Sequence, residues 1–153
     1  RTINSSKNPK ASSIYGNCVS VGDRYEKLGR LGEGTYGIVY KARDRETNHN
    51  VALKRCIPHH EASDGFPVTT LREIQSLRIC TGHPYVVQLE EVAVSRNGVF
   101  LVFELCEHDM ANVIDLHFQM HKRSPFSLEA TKTLLQHLLS ALDFVHSNYI
   151  IHR

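Results

Sequence analysis

Several things are missing from this 153-residue chain, and each absence removes a class of protein. No apolar run approaches the ~20 residues that cross a bilayer, and no secretory signal is visible, so no membrane partner is expected and the sequon Asn4-Ser5-Ser6 carries no weight. Cysteines are few: Cys18, Cys56, Cys80 and Cys106, with no C-x-x-C pair and with neighbours that read as strand or helix interior. That pattern argues for free thiols in a reducing compartment and against a disulfide frame or a zinc site. The ten histidines build no metal cage. His117 and His121 can share a helix face, but no third ligand accompanies them, and a solvated helix is the simpler reading. An excess of one charge is also lacking. Net charge is +2, carried by residues 1–23 with three basic and one acidic residue, while residues 24–153 hold fifteen of each. A neutral folded part offers no case for a nucleic-acid surface. With 41% hydrophobic and 22% charged residues, the chain is globular, one domain or a piece of one.

What is present is concentrated in residues 31–54. Leu31-Gly32-Glu33-Gly34-Thr35-Tyr36-Gly37-Ile38-Val39-Tyr40 is followed, after a polar stretch, by Val51-Ala52-Leu53-Lys54. Glycines at 32, 34 and 37 let a backbone approach something bulky. A lysine in a half-buried aliphatic run beside such a loop suggests an anion, with phosphate the natural one. A dinucleotide-binding loop would lead into a helix. Here Ile38, Val39 and Tyr40 favour a strand, so strand, glycine loop and strand form a hairpin. A Walker-type loop would end in Gly-Lys-Ser/Thr, which is absent. The plain alternative is a glycine hairpin with a surface lysine, and the glycines alone do not decide between the two.

Along the chain, residues 1–23 read as a flexible tail whose end docks on the domain. Strands are predicted at about 25–32, 38–44, 50–56, 86–94 and 98–104, with Asn97-Gly98 as a two-residue hairpin signal. A helix over 67–79 opens on Pro67 and places Leu71, Ile74 and Leu77 on one apolar stripe, with Glu73 at its margin. Glu73 is either a solvated acid or a partner for Lys54. A short helix over Met110–Met120 follows. A long one is then capped by Ser127, with Glu129 in its first turn and Leu128, Leu135, Leu138, Leu139, Leu142 and Val145 as a core face.

These motifs together resemble the cyclin-dependent protein kinases over residues 24–153. The G-x-G-x-x-G-x-V loop, the V-A-I-K strand (leucine here in third place) and the closing His152-Arg153 match the kinase motifs. Pro67-Val68-Thr69-Thr70-Leu71-Arg72-Glu73 is similar to the cyclin-binding helix of the PITSLRE and PISSLRE types, from which Val68-Thr69 departs. Cys18-Val19-Ser20-Val21 and Glu107-His108-Asp109-Met110 are similar to that subgroup as well. The resemblance implies an α+β fold. A kinase-like N-lobe of five antiparallel strands and one helix (24–104) leads through a hinge (105–109) to the first helices of a helical C-lobe (110–153).

The resemblance further implies transfer of the γ-phosphoryl of Mg-ATP to a protein serine or threonine, in cell-cycle or transcription regulation, in the nucleus or cytoplasm. Lys54 and Glu73 would be the catalytic pair. ATP would lie against Leu31, Gly32, Glu33, Gly34, Thr35, Tyr36, Gly37, Val39, Ala52, Lys54 and Phe103. Backbone groups of Glu104 and Cys106 would read adenine, and Asp109 would lie near the ribose. A cyclin would bind helix 67–79. Arg72 and Arg153 would hold an activation-loop phosphothreonine. Thr35 and Tyr36 match inhibitory phosphorylation sites, where added charge repels the ATP phosphates, though both also read as ordinary turn residues. The first residue is Arg1, and the chain stops where the resemblance puts the catalytic aspartate next. The expectation is therefore a fragment without magnesium ligands, inactive alone, with exposed leucines on its last helix. The alternatives are a truncated module that binds cyclin or nucleotide, and an unrelated dinucleotide-binding protein.

Overall fold

β-Branched and aliphatic residues alternate through the middle of the chain, and the alternation builds a sheet with two different faces. The computed structural model describes residues 19–34, 37–56, 68–95 and 98–151. Its elements are β1 (Val19–Ser20), α1 (Val21–Arg24), β2 (Tyr25–Gly34), β3 (Gly37–Asp44), β4 (Asn50–Cys56), α2 (Val68–Ile79), β5 (Leu89–Ser95), β6 (Gly98–Glu104), α3 (Met110–His121) and α4 (Leu128–Ser147). The sheet order is β1-β5-β6-β4-β3-β2. Strands β2 to β6 pair antiparallel, as the five-stranded reading expects.

In β4, Val51 and Leu53 point to one side and join Ala42, Ala93, Phe100 and Val102 in an outer cluster. Cys56 points to the other side and joins Leu89 and Leu101, with Val92 and Phe103 packed alongside. Helix α2 lies on this inner side and contributes Ile74 and Leu77. The buried face of α2 is rotated one residue from the expected stripe. Thr70 and Ile74 are buried, whereas Leu71 is 44% exposed. Positions 70, 74 and 77 keep helical spacing as well as 71, 74 and 77 do, so periodicity alone does not separate them.

The end of the expected tail adds to the sheet. Two-residue β1 pairs parallel with β5, Val19 opposite Ala93 and Ser20 opposite Val94, giving a sixth strand. Val21 and Tyr25 are buried in the outer cluster. Arg24 clasps Asp44 through Nε and NH2, the latter at 2.8 Å, and also meets Glu91 at 3.1 Å and Glu46 at 3.3 Å. The Tyr25 hydroxyl donates to Glu91 at 2.7 Å. Residues 1–18 lie outside the described residues.

The β5–β6 hairpin closes on the pair Ser95 and Gly98, with Gly98 at φ 117°, a value that suits glycine. Its tip, Arg96 and Asn97, lies outside the described residues. β5 begins at Leu89 rather than 86. The preceding turn is tied by Gln88, whose side chain accepts from the Gly82 N–H at 2.7 Å and donates to the carbonyls of His83, at 3.0 Å, and of Val86. From this turn His83 stacks on Phe144 at 4.7 Å and Tyr85 on His137 at 4.0 Å, joining it to α4.

Ser127 caps α4 as expected, accepting from Ala130 N at 3.1 Å. The stripe read as the core face of α4 is largely uncovered, in line with the expectation of exposed leucines on the last helix: Leu128 is 87% exposed and Leu139 63%, with Leu135 and Leu138 more than half exposed, while Leu142 and Val145 are half-buried. No described element packs over this stripe, because the side of α4 that meets the sheet lobe carries His137 and Phe144 instead.

Candidate nucleotide-binding face

The inner face of the sheet collects most of the residues singled out from sequence. Directly opposed residues on neighbouring strands point to the same side. The registers Gly32–Val39, Val39–Lys54, Ala52–Phe103 and Lys54–Leu101 therefore put Gly32, Val39, Ala52, Lys54 and Phe103 on one face. Val39, Ala52, Lys54 and Phe103 are all half-buried. At β2, Gly32 and Gly34 have nothing within 4 Å of where a Cβ would stand. The face above them is open to a ligand, and glycine there leaves the peptide groups accessible. Gly37 differs. Its φ is 149°, and a Cβ would meet the Arg55 carbonyl oxygen at 2.1 Å, so the hairpin itself requires glycine at this position. Leu31 and Glu33 are exposed on the same strand, and Gly34 pairs with Gly37 to close it. Thr35 and Tyr36, at the tip, lie outside the described residues.

Lys54 and Glu73 meet. The ammonium Nζ donates to Glu73 Oε1 at 2.5 Å, with the side chains 20% and 34% exposed. The rotation of α2 explains the pairing: with Ile74 seated in the inner cluster, Glu73 turns toward β4. Of the two readings of Glu73 left by the sequence, the solvated acid is the one the geometry rejects.

Two residues beyond Lys54 on the same face, Cys56 is buried among Ile74, Leu89 and Leu101. Its thiol pKa is pushed up by burial and then by the nearby Glu73 carboxylate. A hydrogen bond with Thr70 and the charge of Lys54 pull the other way. Cys56, Cys80 and Cys106 are all free thiols, as expected.

At the far end of β6 the chain leaves the sheet. Glu104 is held to the turn before β5. Its backbone N–H donates to the Gln88 carbonyl at 3.2 Å, and its carboxylate accepts from Gln88 N at 2.8 Å. Cys106 is exposed. Asp109 is the N-cap of α3, accepting from Asn112 N at 3.1 Å and from Asn112 Nδ2 at 2.5 Å. Arg72 is exposed on α2, and Arg153 lies outside the described residues. Among the described residues no group of three His, Cys, Asp or Glu gathers to hold a metal, and no helix is long and apolar enough to cross a membrane. His117 and His121 do share a face of α3, ring centroids 4.5 Å apart.

Comparison with known proteins agrees with this geometry. The protein kinase domain family matches residues 25–153. The chain belongs to the protein kinase family. Its relatives within that family include a probable cyclin-dependent kinase 10 of Dictyostelium discoideum, 47% identical over 131 residues, covering 84% of this chain and 34% of the relative. Human cyclin-dependent kinase 10 is 42% identical over 140 residues, covering 90% and 37%. Cyclin-dependent kinase G1 of Arabidopsis thaliana is 43% identical over 137 residues, covering 86% and 21%. The resemblance to this branch of the kinases is thus shown, and the chain spans about a third or less of the length of these relatives. For a protein kinase, strand, glycine loop and strand is the expected entry to the sheet. The dinucleotide-binding alternative, which needs a helix after the glycines, is overturned by β3 at Gly37–Asp44.

Three parts of this kinase lobe escaped the sequence reading. The Arg24–Asp44 clasp joins residues twenty apart, and neither carries a motif. Thr70 looks like an ordinary helix residue until the rotation of α2, which buries it, is known. The Gln88 knot replaces what read as strand, and the one signal for it was Gly82-His83-Pro84 just upstream, a cluster that favours turns.

Proposed function

We propose that the inner face binds Mg-ATP as the nucleotide-handling part of a cyclin-dependent protein serine/threonine kinase. The observation that carries this reading is the Lys54–Glu73 ion pair, at 2.5 Å on the face beneath the open glycine strand. A lysine ammonium is a compact point charge on a flexible stem. Paired with Glu73 it is held in one place and still has two N–H bonds free in valence for phosphate oxygens. The peptide N–H groups of residues 32–34 would cover the phosphates from above. Val39, Ala52 and Phe103 supply the apolar walls for a flat base. The Glu104 N–H is already committed to Gln88, so recognition of the base at that residue falls to its carbonyl, with the backbone of Cys106 beside it. Asp109, oriented by Asn112, is the acceptor for ribose hydroxyls.

The relatives' names carry the word cyclin, and a cyclin is the partner we propose for α2. Its outward side shows Val68, Leu71 and Ile79, all more than 40% exposed, an apolar surface that a partner would cover. A cyclin seated there would hold α2, and with it Glu73, against β4. Arg72 and Arg153 would take the phosphothreonine, and phosphate on Thr35 or Tyr36 would repel ATP. The described residues supply no three-ligand magnesium site, so their contribution is to bind and orient the nucleotide. Magnesium would neutralise charge on the β- and γ-oxygens. Phosphorylation of a protein serine or threonine, in the nucleus or cytoplasm, is proposed for the whole protein.

The test is equilibrium binding of a fluorescent ATP analogue with magnesium. The chain should bind it and release it to unlabelled ATP. Lys54→Ala should weaken binding about tenfold, the cost of roughly one charge-assisted contact to phosphate. Equal binding by wild type and Lys54→Ala would refute the reading.

A further inference from the structure

Gln88 stands between the turn that follows α2 and the first residue of β5, and each of its polar groups is engaged on one side or the other. Its side chain serves the turn. Oε1 accepts from the Gly82 N–H at 2.7 Å, and Nε2 donates to the carbonyls of His83, at 3.0 Å, and of Val86. An oxygen facing an N–H and an NH2 group facing two carbonyls leave the amide a single orientation. The turn is itself anchored. The Val86 N–H donates to the His83 carbonyl at 3.3 Å, and the His83 ring stacks on Phe144 of α4 at 4.7 Å. The main chain of Gln88 serves β6. Its N–H donates to the Glu104 carboxylate at 2.8 Å, and its carbonyl accepts from the Glu104 N–H at 3.2 Å. The β5–β6 ladder begins only at Leu89 opposite Phe103, so this two-bond clamp is what extends it to Glu104. Gln88 is half-buried and Glu104 exposed.

We infer that Gln88 is a positioning residue for recognition of the base: by holding Glu104 at its N–H and at its carboxylate, it sets the direction of the Glu104 carbonyl. A peptide unit is planar, so each residue has two soft backbone torsions. Once the N–H and the side chain of Glu104 are both held, ψ is the only torsion left to turn its carbonyl. An exposed glutamate left free samples several rotamers, whereas bonding to the Gln88 N–H keeps this one beside the turn. Without the side-chain amide the turn no longer holds the Gln88 peptide groups, and the clamp on Glu104 slackens with them. The inference rests on the nucleotide reading above and adds to it what makes the site prefer one base. A carbonyl in a fixed direction accepts from an exocyclic amino group, which adenine carries at C6, and repels a keto oxygen in the same place, which hypoxanthine carries. A site built to hydrogen-bond one group rejects the analogue that lacks it.

The experiment compares ATP with ITP, which share ribose and triphosphate and differ in the base, amino against keto at C6. Each displaces a fluorescent ATP analogue from the full chain with magnesium present, and the ratio of the two affinities is read. Damage to the fold or to the phosphate contacts weakens both alike and leaves the ratio unchanged, as Lys54→Ala should. Loss of the carbonyl's direction weakens ATP selectively. Wild type should prefer ATP. Gln88→Met, which keeps the length of the side chain without its amide, should lower that preference about fivefold, the worth of roughly one hydrogen bond. Glu104→Ala removes the other end of the clamp and should do the same. Glu104→Gln, whose side-chain oxygen still accepts, should keep more of the preference than Glu104→Ala. An unchanged ratio in Gln88→Met would overturn the proposal, and Glu104→Ala, at the exposed end, decides in the same way if Gln88→Met does not fold. A wild type indifferent between ATP and ITP would overturn it too, since nothing at Glu104 would then read the base. So would equal losses in Glu104→Gln and Glu104→Ala, because the charge rather than the accepted bond would then matter. Absence of binding by wild type would refute the nucleotide reading and this role with it, whereas normal binding with an unchanged ratio refutes the positioning role alone.

Discussion

Asp44 is the most heavily engaged acid on the outer side of the sheet. It accepts from Arg24 Nε and NH2 and from the Glu46 backbone N–H at 2.8 Å, and is only 4% exposed. The Arg24 hydrogen bonds hold its carboxyl down to about 2, against an ordinary 3.8, with burial opposing. A depressed acid contributes stability above its unfolded pKa and loses it as pH falls through its folded one. The contribution of Asp44 is therefore complete above about pH 4 and fades toward pH 2. Asp44→Asn should cost on the order of 1–2 kcal/mol at neutral pH, the remaining carboxylates Glu46 and Glu91 limiting the loss at Arg24. Urea unfolding of wild type and variant at a series of pH values checks this, and the gap between them should narrow below about pH 4. None of this was legible in the sequence, because Arg24 and Asp44 carry no motif and meet only once β2 and β3 pair. The Lys54–Glu73 contact is the opposite case. Each residue sits in a recognisable run, and the resemblance supplied the pairing that spacing alone did not.

At the scale of elements, α2 shows what periodicity does and does not fix. The helix was legible over Val68–Ile79, and so was the packing of Ile74 and Leu77 against the sheet. Which neighbour joins them was not, since Thr70 and Leu71 fit the spacing equally and hydrophobicity favours Leu71. The structure buries Thr70 and leaves Leu71 44% exposed. The consequence is measurable. Ile74→Ala should cost about 2–4 kcal/mol, as a large-to-small change in a packed cluster does, whereas Leu71→Ala should cost less than about 1 kcal/mol. Thermal melting of the two variants compares them directly, and a larger loss for Leu71→Ala would mean that the helix is seated as the simple apolar stripe suggests. The strands were easier. β4 comes nearest to alternating, with Val51 and Leu53 buried between less buried neighbours, whereas β6 is a continuous apolar run buried on both sides. The turn at Gln88 hid the true start of β5, because a side chain does there the work of a sheet's backbone.

The whole molecule has two apolar clusters, one on each side of the sheet, and only the inner one belongs to the site. The outer cluster is completed by Val21, from the segment before the first long strand, and by Tyr25 at the start of that strand. That segment precedes residue 25, where the match to the protein kinase domain begins, and it fixes the edge of the sheet through β1. On α4 a groove lined by Leu128, Leu135 and Leu139 is left open among the described residues. These leucines read as core in the sequence because a helical stripe states only that something covers it, not what. The strand order was likewise beyond periodicity; the family resemblance supplied only the five antiparallel strands and the helix.

The proposed function requires that phosphate groups of a nucleotide lie against Lys54 on the inner face. An ATP derivative with an acyl group on its terminal phosphate tests it most directly, since a lysine amine at the phosphates takes the acyl group and is marked permanently. Digestion and mass spectrometry then locate the mark. Labelling is expected at Lys54, suppressed by excess ATP and slowed in Glu73→Gln, where the amine is no longer held. Labelling spread over exposed lysines such as Lys27 and Lys132, indifferent to competing ATP, would contradict it.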